Sequence, residues 1–293
     1  MPYNHDDIEG SVDLGSPVYL YRIRYGSDEG AVYRFTDAER DVVYDDEVYE
    51  AVPIRHDAVE ASGKLDENEL VIEVSRANPV AELLSLYPTS FVITLVIRVG
   101  HLVDSALPAL TRSFPNDGVI PVAWTGRIVE RVGGEKGKVK LVAIPSGVSM
   151  KRPGLTRHFQ YSCPLALYGT RCNADKEAAT TAGTIVSTTP NRIVLSPGWM
   201  VTDMTRLDYI GGMIEWDGPV GREYRLIVDV LPDDVTLVLS GPTSGLDAGD
   251  TVDVVLGCQH TLEACGRVHG NTVNYGGHPY IPAFNPVGKN PFD

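Results

Sequence analysis

Four cysteines are the residues of this 293-residue chain whose type and spacing could do chemistry. Cys163 and Cys172 stand in YSCPLALYGTRCN with eight residues between them, and Cys258 and Cys265 stand in GCQHTLEACG with six. The two pairs are separated by 85 residues, and no cysteine is left over. Two local pairs of thiols are what a tetrathiolate site requires. Each pair is held by its own loop, and folding brings the loops together. Glycine, proline and asparagine surround both pairs, so the backbone there can turn tightly and present side chains inward.

Several chemistries fit that pattern. Each pair could close as a disulfide, or the thiols could stay reduced. The polar, acidic start MPYNHDDIEGSVD lacks a signal-peptide pattern and points to synthesis in the cytoplasm, where cysteines serve metals or stay free. Structural zinc usually takes a C-x2–4-C knuckle, and gaps of eight and six are wide for it. Four thiolates are the normal ligand set of [2Fe–2S] and [4Fe–4S] centres, and wide loops suit a group larger than one ion. On spacing alone Zn2+ and both clusters remain open. His260 and His269 are candidate ligands of a mixed Cys/His site, but are expected to bond the loop backbone or face solvent. Gly257, Gly266, Gly276 and Gly277 are expected to allow close chain approach, and Asn271 and Asn274 to pin a loop through their side chains. Backbone N–H groups aimed at sulfur would tune a metal centre. Arg171 and Arg267 either offset the charge of such a centre or are ordinary surface arginines.

The elements that must position these thiols read as strands. VYLYRIRYG opens the pattern, VVY and VYEAV flank an Asp45–Asp46 turn, and LVIEVS leads to Pro79. A short helix is expected over Ala81–Tyr87, and FVITLVIRVGHLV is the clearest buried strand. GRIVERVGGEKGKVKLVAIP reads as two strands around a charged turn that lacks P-loop spacing. Partial helix is expected near Leu165–Tyr168. GTIVSTTPNRIVLS is then a strand pair, PGWMVTDMTRLDYIGGMIEWDG strands or turns, and GREYRLIVDVLPDDVTLVLSGP another strand pair. DTVDVVLGCQH runs a strand directly into Cys258. The expected organisation is a flexible arm over 1–15, a β-rich region over 16–150, a second β-rich region over 151–275 and a Pro-rich extended arm over 276–293. The cysteine pairs frame the strands of the second region, which should set its two ends side by side.

Composition narrows the function classes. The formal charge of −14, with no cluster of Lys and Arg, argues against binding a phosphate backbone. The longest apolar run, SFVITLVIRV, is too short to cross a bilayer. GxSxG and HExxH are absent, and no flavin or nicotinamide fingerprint occurs. His5-Asp6-Asp7 reads as an acidic terminus, and Trp124, Trp199 and Trp216 as packing residues.

The segment C-x-H-T-x-x-x-C-x-x-x-x-x-N-x-x-N-Y-G-G-x-P-x-I-P-x-x-N-P from Cys258 resembles the C-terminal signature of a family of tail proteins from long-tailed phages and gene transfer agents. Y-x-C-x-x-x-x-Y-G-x-x-C, Tyr161 to Cys172, resembles the family's first cysteine segment. R-F-T-D at 34–37 and D-V-x-Y-D-D-x-x-Y at 41–49 resemble it less specifically. The resemblance implies a mainly β fold: a tail-tube-like antiparallel hub domain, then a β domain closed by the cysteines. It implies a baseplate hub or tail tip protein, functionally similar to the tail tip protein L of phage lambda. Such a protein would form a homotrimer at the distal end of a virion tail and link the tube ring to tip or fibre proteins. It also implies that Cys163, Cys172, Cys258 and Cys265 hold a [4Fe–4S] cluster, Zn2+ being the alternative. A structural role for that centre is the simpler expectation. A tail-borne redox or cell-wall-acting enzyme is the rival, although no catalytic residue is assigned.

Overall fold

A computed structural model describes residues 17–26, 31–59, 69–84, 89–101, 112–113, 120–134, 137–151, 158–218, 221–243 and 245–281. The expected arm over 1–15, the Pro-rich stretch beyond 281, residues 85–87 of the expected helix and the centre of the GGEKGK turn lie outside them. The chain falls into two compact units, Met1–Arg152 and Pro153–Asp293, each taken by itself below.

In the first unit the described strands are β1 (Pro17–Tyr25), β2 (Ala31–Thr36), β3 (Val42–Tyr44), β4 (Glu47–Ala51), β5 (Ile54–His56), β6 (Leu70–Ser75), β7 (Ile93–His101), β8 (Arg112–Ser113), β9 (Val122–Gly133) and β10 (Lys138–Pro145). They form one sheet in the order β5-β6-β10-β9-β7-β1-β2-β4-β3-β8. Most neighbours are antiparallel, but β2–β4 and β3–β8 run parallel, a departure from the antiparallel expectation. Alternation in β6 and β7 buries Leu70, Ile72, Val74, Ile93, Leu95 and Ile97 on one face. Fully burying each such side chain contributes about 1.5–3 kcal/mol. Central β1 uses both faces. Tyr21, Ile23 and Tyr25 share one of them, while Val18 and Leu20 join Val42, Tyr49 and Ile120 in a smaller cluster on the other. Asp45 and Asp46 both take positive φ, 54° and 58°, and turn β3 back onto β4. The helix expected over Ala81–Tyr87 is present earlier, as α1 (Pro79–Leu83). Asn78 caps it by accepting the Val80 N–H, and Pro79 needs no partner at a first helical position.

The second unit is a closed barrel of β11 (Thr180–Thr189), β12 (Arg192–Leu195), β13 (Met213–Gly218), β14 (Gly221–Val230), β15 (Thr236–Leu239) and β16 (Thr251–Val255), in the order β11-β12-β15-β14-β13-β16. Every ladder is antiparallel, and closure removes the free sheet edges. Ile185, Ile193, Leu195, Ile214, Ile227, Leu237 and Val254 fill the interior. Trp199 packs edge-on against Tyr209 and donates its indole N–H to the Asp234 carbonyl. The segment expected as strands or turns between β12 and β13 contains α2 (Arg206–Tyr209), one turn long. The stretch from Leu165 to Tyr168 is not helical.

Candidate metal centre

Barrel register brings the cysteines together. The first residue of β11, Thr180, pairs with the last of β16, Val255. The chain carrying Cys163 and Cys172 therefore enters the barrel where the chain carrying Cys258 leaves it. Backbone bonds complete the junction. Leu256 N–H donates to Ala179 O at 3.0 Å, and Cys163 N–H donates to His260 O at 2.8 Å. The framing expected from the sequence is present.

After Cys258 the chain forms a helix that the glycine-rich reading missed, α3 (Leu262–His269). Thr261 caps it by accepting the Ala264 N–H at 3.1 Å, and Glu263 lies in the first turn where helix N–H groups favour an anion. Gly270, at φ 58°, ends it in the left-handed region, and Asn271 N–H closes back on Cys265 O at 3.0 Å. Cys265 thus sits on a helix and is buried, where the sequence reading placed it in a polar loop. The other three cysteines are half-buried.

All four thiols line one pocket. Leu165 and Leu167 supply apolar wall, and His260, His269, Asn271 and Tyr275 the polar wall. Each sulfur has a polar neighbour. His260 N–H donates to Cys258 Sγ at 3.3 Å, from a residue held at φ 59°, and Gly276 N–H donates to Cys163 Sγ at 3.4 Å. Asn271 Nδ2 lies 3.8 Å from Cys172 Sγ, and Cys265 Sγ donates to Asn271 O at 3.2 Å. Burial pushes the Cys258 and Cys265 thiols above the ordinary range, and the neighbouring cysteines push them further.

The segment after α3 straps the pocket. Tyr275 donates its hydroxyl to Tyr161 O at 2.8 Å, and His278 N–H donates to Gln160 O at 2.9 Å. A Cβ on Gly276 would stand 2.8 Å from Leu165 Cγ, and one on Gly277 2.6 Å from Tyr161 O, so only glycine lets the strap lie this close. On the barrel side Tyr168 donates to Leu256 O at 2.7 Å. Tyr168, Tyr275 and Leu165 escaped the sequence reading; the Y-G dipeptide and the N-Y-G-G run near the cysteines were the available signal.

His269 bonds the backbone through its ring, and His260 makes its bonds through its main-chain N–H and carbonyl. His269 Nε2 donates to Gly257 O at 2.9 Å, which leaves Nδ1 as acceptor, buried and without a hydrogen-bond partner in the pocket lining. Burial keeps that ring below the ordinary histidine pKa. Arg171 is exposed, whereas Arg267 is paired with Asp208 and does not face the sulfurs as a free charge.

Residues 208–285 match the family described as phage conserved hypothetical protein BR0599. The fold of the chain is similar to that of a chain in "Virion of native gene transfer agent (GTA) particle", with a TM-score of 0.73 at 18% identity, over 99% of this chain and 96% of that one. No curated protein matches the sequence. The matched family segment runs from Asp208 to the strap and covers two of the four cysteines, Cys258 and Cys265. No helix among the described residues is long and apolar enough to cross a membrane.

The residue types fit a tetrathiolate centre, whether one Zn2+ or an iron–sulfur cluster. The donor set is four convergent thiols, two of them receiving backbone N–H bonds, beside an orphaned imidazole nitrogen. Zinc needs sulfurs about 2.3 Å from one centre. Among the described residues no group of three or more His, Cys, Asp or Glu side chains is gathered closely enough to hold a metal ion as the side chains stand.

Proposed function

We propose that this chain is a structural protein of a phage-like tail, a baseplate hub or tail tip component joining the tube to distal tip or fibre proteins, and that a [4Fe–4S] cluster staples its second unit. The observation that carries the reading is the convergence of four thiols, from segments 85 residues apart, on one pocket at the barrel's seam. The likeness of fold to a virion chain and the phage family match support the setting. A homotrimer at the distal end of the tail is the assembly this role calls for.

Cys163, Cys172, Cys258 and Cys265 would hold the cluster. When bound, it supplies bonds that cross-link the chain entering the barrel to the chain leaving it. The protein's own residues do the rest. His260 and Gly276 hold N–H groups toward two sulfurs, Leu165 and Leu167 exclude water, and the strap covers the opening. The role is structural, with no catalytic residue.

Iron and acid-labile sulfide analysis of anaerobically purified protein tests the centre. About four of each per chain is the expected result. One zinc and no colour would replace the cluster with a zinc staple. Immunogold labelling of isolated particles tests the setting: label at the distal tail end is expected, and label absent from particles would overturn the tail role.

A further inference from the structure

We infer that Asn271 is the positioning residue of the centre: its carboxamide ties the Cys172 loop to the end of the helix that carries Cys265, and turns an N–H toward a ligand sulfur. The inference rests on the four-cysteine reading above. Asn271 is first fixed to Cys265. Its backbone N–H donates to Cys265 O, and in the metal-free thiol form its carbonyl also accepts from Cys265 Sγ. From that anchor Nδ2 donates to Cys172 O at 2.6 Å and lies 3.8 Å from Cys172 Sγ. A carboxamide nitrogen carries two hydrogens, one for each of these partners. The orientation of the amide is itself set. Asn274 Nδ2 donates to Asn271 Oδ1 at 2.6 Å, so the oxygen faces Asn274 and the nitrogen faces the cysteine. One side chain thus joins two segments 99 residues apart.

The other N–H donors to sulfur come from backbone, at His260 and Gly276. Cys172 is the ligand whose N–H neighbour is a side chain, which substitution can remove while leaving the loop backbone unaltered. An N–H directed at a ligand sulfur stabilises the more negative, reduced state and raises the reduction potential. Leucine at 271 would leave Cys172 O without this donor. Aspartate would set a carboxylate against that carbonyl and against a thiolate.

The test uses the full chain with Asn271→Leu and Asn271→Asp. Val273→Ala, at a position 92% exposed in the same segment, is the control. In metal-free protein, iodoacetamide labelling of each cysteine is followed by mass spectrometry. Cys172 is expected to label roughly tenfold faster in Asn271→Leu, the factor that loss of a buried hydrogen bond carries. The control should match the parent. In anaerobically loaded protein, the reduction potential is expected to shift negative in Asn271→Leu and further in Asn271→Asp. Unchanged Cys172 labelling and unchanged potential in Asn271→Leu would overturn the inference. A parent free of iron and sulfide would sink the cluster reading, and labelling would still decide whether Asn271 ties the two segments.

Discussion

Arg267, two residues beyond Cys265 on α3, is ion-paired with the buried carboxylate of Asp208 on α2. The same carboxylate accepts from the Thr205 N–H and hydroxyl, each at 2.9 Å, and the Asp208 carbonyl accepts from Gly257 N–H at 2.7 Å. One residue therefore holds the start of α2, the far turn of α3 and the glycine before Cys258.

Burial pushes the Asp208 carboxyl up, but Arg267 and Thr205 outweigh it and bring the group below the usual carboxylate range. A depressed folded value means stability that is present above the unfolded value, near 3.9, and lost as pH falls through the folded one. Asp208→Asn is expected to lower the urea midpoint at pH 7, with the difference from the parent closing toward pH 3. A constant difference across that range would show that the carboxylate's charge plays no part.

Serine at any one of the four cysteines should abolish stable loading, because the proposed centre needs all four sulfurs. We expect each variant to lose the broad visible absorption of the iron–sulfur chromophore and most of its iron. The strand signal in circular dichroism should persist, since the barrel core of Ile193, Ile214, Leu237 and Val254 contains none of the cysteines. A variant at Cys265 that retained full iron would remove it from the set.

The strap gives a steric prediction. A methyl at Gly277 would meet the Tyr161 carbonyl and the Tyr275 hydroxyl, at 2.6 and 2.7 Å, and a backbone carbonyl cannot swing away like a side-chain end. Gly277→Ala should cost about 1–3 kcal/mol and speed loss of iron in air, read as the decay of visible absorption. Gly137→Ala is a useful contrast. Its added methyl would meet nothing within 4 Å, and its cost would be that of a positive φ alone.

Hairpins and the cysteine frame were legible in the sequence, and so, two residues out of place, was α1, whereas α2 and α3 were not, for physical reasons. Paired strands such as β11 and β12 announce themselves through alternation and a Pro-Asn turn. From the frame it follows that Cys172 and Cys258 lie near each other once β11 and β16 pair. α3 has eight residues and only Leu262, Ala264, Cys265 and Val268 as an apolar stripe, with Gly266 in its middle. Its caps, Thr261 and Gly270, were the readable signal, and local glycine content obscured them. α2 is too short for periodicity to register. The parallel β2–β4 pairing joins chain segments whose local pattern is the same whichever way they run. Asp208 lay in no motif, and its role arises only when α3 folds back.

The Asp45–Asp46 turn supplies a stabilising prediction. Both residues take positive φ, the signature of a two-residue type I′ turn, in which an L side chain is strained and glycine is not. Asp46→Gly should stabilise by about 0.5–1 kcal/mol, read as a higher urea midpoint with an unchanged slope. Asp46→Val, β-branched at the same φ, should do the opposite.

His56 gives the first unit a pH dependence of its own. Tyr21 is fully buried, and burial raises its phenol far above the ordinary value, so the hydroxyl keeps its proton while it shares a hydrogen bond with His56 Nδ1 at 2.6 Å. Tyr19 packs edge-on to the same ring at 4.5 Å between centroids. Burial lowers the His56 pKa below its ordinary value, against a smaller opposing pull from Asp57. The unfolded chain therefore takes up a proton at a pH where the folded chain refuses it. The stability involved is complete above about 6.5 and drains away as pH falls through the folded value. His56→Gln removes the titration together with the ring packing. At pH 7.5 it should be less stable than the parent by about 1 kcal/mol, the worth of one hydrogen bond. At pH 5 the gap should narrow, because the parent loses stability there and the variant does not. Urea midpoints of both proteins at the two pH values decide it, and a gap that stayed constant would mean that His56 keeps the same charge in the folded and unfolded chains.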